Sequence, residues 1–248
     1  MTGITFIGHS TLLIETKGKR ILTDPLLRRR VGYLFRSGSQ IKREWYNSID
    51  CVLISHLHKD HFDIPSLRML DNSVRIIVPK NAGDYLKRQG FRNVQEVTMG
   101  DDAKLGTVNI KATHANHSDS HKKRIKKSEF LGYIIEGNHR VYFAGDTDIF
   151  NDMRTFGRLD AALLPVWGWG PRLGPCHIDP KRAVEALRLL KPKIAIPIHW
   201  GTYSPFGIGY LGLGYMKNPP NDFASHAKEK APKVDVRILK LGEKTAIK

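Results

Sequence analysis

One segment limits what this chain can fold into more than any other. Asp50-Cys51-Val52-Leu53-Ile54-Ser55 is a continuous apolar run, and His56-Leu57-His58-Lys59-Asp60-His61 follows it at once. Such a run is the pattern of a β-strand buried on both faces, so it belongs inside a sheet covered on two sides. Its end then delivers three histidines and an aspartate to one place. His56 and His58 stand two apart, a spacing that turns both side chains to one side of an extended chain. Imidazole and carboxylate are common ligands of zinc and related ions. Drawing several from one short segment lowers the entropic cost of assembling a site. A polar turn with accidental histidines does not account for four ligand-type side chains directly after a buried strand.

Around this segment the pattern is strand-rich at first, with strands and helices alternating later. Strands are predicted at 4–7, 11–16, 20–23, 75–78, 94–97, 108–113, 130–136, 140–144, 160–165, 193–198 and 234–239. Helices are predicted at 65–70, 82–89, 180–190 and 222–230; Ala183, Val184, Leu187 and Leu190 carry the helical spacing in the third. Residues 26–48 read as a long, basic, irregular loop. No repeat and no linker-like stretch divides the 248 residues, which read as one domain, 1–248, of the α/β class with sheets covered by helices.

Further ligand-type residues follow other strands. His114 and His117 come after 108–113, Asp146 lies in Gly145-Asp146-Thr147-Asp148, His199 ends the run Ile194–Ile198, and His177 precedes a helix. Taken singly, each is an ordinary polar residue. Collected from several strand ends, they are what a site on a rigid sheet edge requires.

His56-Leu57-His58-Lys59-Asp60-His61 resembles the His-x-His-x-Asp-His signature of the metallo-β-lactamase fold superfamily. Gly8-His9-Ser10-Thr11, Thr23-Asp24-Pro25, Gly145-Asp146-Thr147 and Pro197-Ile198-His199-Trp200-Gly201-Thr202 fall in the order that superfamily uses. The subgroup it is most similar to contains N-acyl-phosphatidylethanolamine-hydrolysing phospholipase D and the ascorbate-6-phosphate lactonase. The stretch Gly174-Pro175-Cys176-His177-Ile178-Asp179-Pro180 leans towards the phospholipase.

The resemblance implies a four-layer αββα sandwich with two divalent metal ions at one edge: zinc first, with Mn2+, Fe2+ or Ni2+ as alternatives. It implies that His56, His58 and a third histidine hold one metal, that Asp60, His61 and His199 hold the other, and that Asp146 bridges them. Alignment on Ala115 favours His117 as the third histidine and leaves His114 as the alternative. Asp24 is implied as a carboxylate that orients the ligand loop. The implied chemistry is attack of a metal-bound hydroxide on an anionic ester, with Asp60 orienting or deprotonating the nucleophile and His177 binding substrate or serving the leaving group. A phosphodiester is the first expectation; a lactone of a phosphorylated sugar acid, or a nucleic acid, is the alternative. Di-iron redox members carry glutamate where this chain has His58, which favours hydrolysis.

Charge and composition narrow the partners. Forty Lys and Arg against 24 Asp and Glu give +16, which suits a small anionic or lipid-like substrate and leaves nucleic acid as a further possibility. The run Lys122-Lys123-Arg124 with Lys126 and Lys127, beside the histidines, and Arg28-Arg29-Arg30 concentrate that charge; each also reads as a solvated face. Two cysteines, Cys51 and Cys176, make no disulfide framework and suit a reducing interior. No signal peptide and no transmembrane-length apolar run is legible, so a cytoplasmic protein is expected. The glycine-rich apolar stretch Tyr203–Met216 reads either as packing against the domain or a second subunit of a homo-oligomer, or as an apolar wall for substrate.

Overall fold

Side chains on the first strands divide between two cores, and this division sets the architecture. In the computed structural model, which describes residues 1–38, 40–118, 128–168, 170, 172–174, 176–206 and 213–248, Ile4, Phe6, Leu12 and Ile14 enter one buried cluster while Ile7 and Leu13 enter another. The amino-terminal half runs β1 (Thr2–Gly8), β2 (Thr11–Thr16), β3 (Lys19–Thr23), β4 (Arg30–Val31), β5 (Leu34–Arg36), β6 (Cys51–Leu53), α1 (Ile64–Leu67), β7 (Arg75–Pro79), α2 (Gly83–Arg88) and β8 (Val94–Val97). There follow β9 (Asp102–Leu105), β10 (Val108–His114), β11 (Leu131–Glu136), β12 (Arg140–Phe143), β13 (Ala161–Pro165), α3 (Pro180–Leu190) and β14 (Ile194–Ile198). The chain closes with β15 (Tyr203–Pro205), α4 (Gly214–Lys217), α5 (Pro219–Lys230), β16 (Asp235–Val236) and β17 (Lys244–Ile247).

Two seven-stranded sheets result, ordered β17-β1-β2-β3-β6-β7-β8 and β16-β14-β13-β12-β11-β10-β9. Their facing sides share the central core: Ile4, Phe6, Ile21 and Leu53 from the first sheet meet Tyr133, Phe143, Leu163 and Ile196 from the second. The outer face of the first sheet packs Val52, Ile54 and Ile76 on Leu67 of α1 and Leu86 of α2. The outer face of the second packs Tyr142, Ala162 and Leu164 on Val184 and Leu187 of α3 and Phe223 of α5. Helix, sheet, sheet and helix therefore stack as the expected αββα sandwich. Each fully buried Leu, Ile or Phe contributes ~1.5–3 kcal/mol of transfer free energy to that stack.

Both sheets are mixed, and their parallel parts position the site. β3, β6, β7 and β8 are parallel neighbours, as are β12, β13, β14 and β16. Parallel neighbours end on one edge, and in open α/β sheets that carboxyl edge is where ligands bind. Asp24 follows β3, His56 follows β6, Asp146 follows β12 and His199 follows β14. No helix of the described residues is long and apolar enough to cross a membrane.

The structure departs from the sequence expectation in several elements. The presumed loop 26–48 holds β4 and β5, which join β15 in a three-stranded sheet. Val31 and Leu34 bury there against Leu26 and Tyr203. The predicted strand 234–239 is a ladder of only two residues, Asp235–Val236. The helix expected at 65–70 is the single turn Ile64–Leu67, capped by the Asp63 side chain accepting from Ser66 N. The last helix starts earlier than expected, at Pro219, because proline is tolerated in a first turn. Of the apolar stretch 203–216, Tyr203 and Met216 are buried while Phe206 stands 77 % exposed, with its ring edge on Phe35. Ile208, Tyr210 and Leu211 of that stretch, and the basic run at 122–127, lie outside the described residues.

Candidate metal centre

The loop after β6 is held from below. His61 N and Phe62 N donate to His58 O at 3.0 and 2.8 Å, making a tight turn, and Phe62 sinks into the outer core. Asp63 caps α1 and accepts two bonds from Arg28, at 2.8 and 2.6 Å, tying the turn to the segment after β3. The turn after β12 needs Gly145. Its φ of +61° is in the left-handed region, and a Cβ there would stand 2.6 Å from Ser55 Cβ. This close approach places Asp146 against the loop that carries the histidines.

Asp24 organises what lies above. It is fully buried with φ +33°, and its carboxylate accepts from Ser55 N at 2.7 Å, Ser55 Oγ at 2.5 Å and His61 Nδ1 at 2.7 Å. Ser55 Oγ in turn accepts from His56 Nδ1 at 2.9 Å. Burial pushes the Asp24 carboxyl up, and the bonds from His61 and Ser55 work against that push. With Nδ1 of both rings committed to these acceptors, Nε2 is the atom that each turns towards the site.

Two groups of ligand atoms form on this base. In the first, His56 Nε2 lies 2.9 Å from His58 Nδ1, which lies 3.3 Å from His117 Nε2. His117 Nδ1 donates to Cys176 O at 2.8 Å, so its Nε2 is a lone pair. Burial pushes His56 well down and His117 down to about 4, so both are neutral and able to ligate. In the second group, His61 Nε2 and His199 Nε2 are 3.2 Å apart. Asp60 Oδ2 stands 3.3 and 3.4 Å from them, and Asp146 Oδ2 stands 3.2 Å from each. His199 Nδ1 donates to Trp167 O at 2.9 Å.

This donor set fits a cation. Five of the six separations among these four atoms are 3.2–3.4 Å, and tetrahedral corners with edges of that length lie about 2 Å from their centre, which is the zinc–nitrogen and zinc–oxygen distance. Four electron pairs aimed at one point repel unless positive charge lies among them. Protons on the histidines supply such charge, as a cation would. Burial opposes charge on Asp60 and Asp146, yet His61 and His199 hold both carboxyls well below the usual range. Burial likewise opposes charge on His61 and His199, yet the carboxylates raise both, His199 to about 9. Asp146 is 2 % exposed, and its Oδ1 has no hydrogen-bond partner among the described residues. A buried carboxylate oxygen without a partner is costly, and a cation is what would satisfy it.

All the other proposed residues fall at this edge, with one exception. His177 approaches from the more open side, its Nε2 3.5 Å from Asp146 Oδ2 and its ring against His117 at 4.7 Å. His114 is the exception. It is exposed and rests edge-on against Phe150, while His117 joins the cluster. His117→Ala is therefore expected to lower metal affinity ~10–100-fold, with His114→Ala close to wild type in the same titration; the reverse order would return the role to His114. Cys176 contributes its carbonyl to His117, and among the described residues its thiol belongs to no group of ligand atoms. Sequence reasoning quoted His9 within Gly8-His9-Ser10-Thr11 but gave it no role; it follows β1 directly. Its Nε2 lies 2.8 Å from Asp60 Oδ2, and it groups with Asp60, His61 and His199. The signal was available, since it is a histidine at an apolar strand end like the others.

A family model described as the β-lactamase superfamily domain matches residues 19–200, a span holding Asp24, the six-residue signature, His117, Asp146, His177 and His199. The chain belongs to the β-lactamase superfamily. A metal-dependent hydrolase of Rubrobacter xylanophilus is 31 % identical over 98 % of this chain and 95 % of its own length. The N-acyl-phosphatidylethanolamine-hydrolyzing phospholipase D 1 of Caenorhabditis elegans is 29 % identical over 82 % of this chain and 64 % of that protein. Among solved structures, the metallo hydrolase Igni18 of Ignicoccus hospitalis superposes with a TM-score of 0.74 at 25 % identity, covering 98 % of this chain and 97 % of that one. As a β-lactamase superfamily member with such relatives, the chain is a hydrolase, and the edge described here is its candidate metal site.

Proposed function

We propose that residues 1–248 act as one catalytic domain, a dinuclear metal-dependent hydrolase of anionic esters with phosphodiesters as its substrate class. The observation that carries the dinuclear reading is Asp146, whose Oδ2 closes the Asp60/His61/His199 group while its buried Oδ1 has no partner. His56, His58 and His117 would hold one cation; Asp60, His61 and His199 would hold the second; Asp146 would join them. Nitrogen and oxygen donors in this proportion suit zinc. Two divalent ions held there would supply Lewis acidity and would lower the pKa of a water molecule towards ~7.

The chain's own groups supply the rest. Asp60, held as a carboxylate, accepts a proton from the attacking water and orients it. His177 Nε2, half-buried on the open side, stands where it can bind an ester oxygen or protonate the leaving group. Asp24, Ser55 and Trp167 O fix the rings so that little reorganisation accompanies reaction. The +16 charge and the relation to the nematode phospholipase D support an anionic phosphodiester. Two free cysteines, of which Cys51 is buried with its thiol pushed up to about 12, support a reducing, cytoplasmic setting.

The test pairs a chromogenic phosphodiester with a sugar-acid lactone, each with and without chelator. The expected result is chelator-sensitive phosphodiester hydrolysis whose kcat/KM falls as salt rises, because screening shortens the reach of charge to ~8 Å at physiological ionic strength. Lactone turnover with the phosphodiester untouched would transfer the site to the lactonase reading.

A further inference from the structure

His9 has no part in the roles above, yet it touches two of the residues assigned to the second metal. Its ring is buried, and its Nε2 lies 2.8 Å from Asp60 Oδ2, the oxygen that stands 3.3 and 3.4 Å from His61 and His199. A separation of 2.8 Å is that of a charge-assisted hydrogen bond. It is shorter than the 3.3 and 3.4 Å separations of Asp60 Oδ2 from His61 and His199, and it gives His9 a hydrogen bond to Asp60 within the group of ligand-type atoms that the two share with His61 and His199. The main chain of His9 is held on both sides. Its N–H donates to Thr202 Oγ1 at 2.7 Å, and its carbonyl accepts from His199 N at 2.9 Å. The His9 and His199 rings lie 3.9 Å apart, centroid to centroid. Both residues adopt left-handed backbone, with φ of 57° and 60°. Non-glycine residues avoid that region; where they occupy it, the surroundings over-determine them, and such positions cluster at functional sites.

We propose that His9 is a positioning residue for the second metal: its Nε2–H aims Asp60 Oδ2 at the cation, and its carbonyl fixes the backbone of His199. One residue at the end of β1 thereby sets two of the four ligands, one from each of two distant segments. It also joins the edges of the two sheets where the site lies. The family model begins at residue 19, so this clasp comes from outside the matched span. The inference rests on the dinuclear reading of the site.

Cobalt(II) titration of wild type, His9→Ala and His9→Gln, followed by the visible d–d absorption and by thermal melting, tests it. Glutamine can place an amide N–H where the imidazole Nε2–H stood. In His9→Ala the first equivalent is expected to bind as in wild type and the second about 10–100-fold more weakly. His9→Gln is expected to recover the second affinity to within a few-fold, with a wild-type cobalt spectrum. Unchanged second-site affinity in His9→Ala overturns the proposal. So does equal weakening of both sites, which marks a purely structural residue. A His9→Gln protein as weak as His9→Ala with a shifted spectrum also overturns it, and makes His9 a direct ligand. If wild type takes up fewer than two equivalents, the dinuclear reading falls and the proposal with it.

Discussion

Asp146→Ala is expected to lower hydrolysis roughly a thousandfold or more and to weaken both metals together. The residue is the only carboxylate proposed to serve both cations. Its Oδ2 lies 3.2 Å from His61 and from His199, and its buried Oδ1 has no other partner among the described residues. Metal-derived charge stabilisation is worth several kcal/mol, and ~4 kcal/mol corresponds to about a thousandfold in rate. The fold is expected to survive, because the substitution removes a group that fills no core and sits at a turn already shaped by Gly145. Steady-state rates and metal content measured on one preparation check this. A rate within tenfold of wild type with two metals retained would take Asp146 out of the site.

Asp24→Ala is expected to damage both the site and the fold. Asp24 accepts three bonds in a fully buried position and reaches both groups of ligands, His61 directly and His56 through Ser55. Removing it strands Ser55 N and the His61 ring without their acceptor. Breaking a buried pair by deleting one partner costs ~3–5 kcal/mol, and losing a group that orients a ligand costs ~10–100-fold in metal affinity. Urea unfolding and metal titration are expected to show both losses. His114→Ala, by contrast, is expected to show neither. A stable Asp24→Ala protein with wild-type affinity for both metals would contradict the orienting role.

Much of this was legible in the residues, and the remainder was hidden for identifiable reasons. The apolar run Asp50–Ser55 and the six residues after it announced both the central strand and a cluster of ligand-type side chains, because each signal is local. His117 and His114 could not be separated locally: the choice depends on where β10 stops, and it runs on to His114, whose ring turns out against Phe150. His9 stood in the quoted motif Gly8-His9-Ser10-Thr11, but its role was not legible because its partner Asp60 is 51 residues away and no spacing rule links them. Cys176 contributes through its carbonyl, which a list of side chains does not display. The strands β4 and β5 are two and three residues long, too short to carry a period of two. Asp102–Leu105 is a different kind of omission: its burial alternates exposed and buried in the ordinary strand pattern, and that alternation was present in the residues.

The central claim is that two neighbouring cations, held by His56, His58 and His117 on one side and Asp60, His61 and His199 on the other, drive hydrolysis. Elemental analysis of the purified protein, before and after exhaustive chelation and again after readdition of zinc, tests it most directly when phosphodiesterase activity is followed on the same samples. The expected result is close to two equivalents of divalent transition metal per chain, loss of activity on chelation, and recovery that tracks the return of the second equivalent. Full activity in protein stripped of metal would contradict the account.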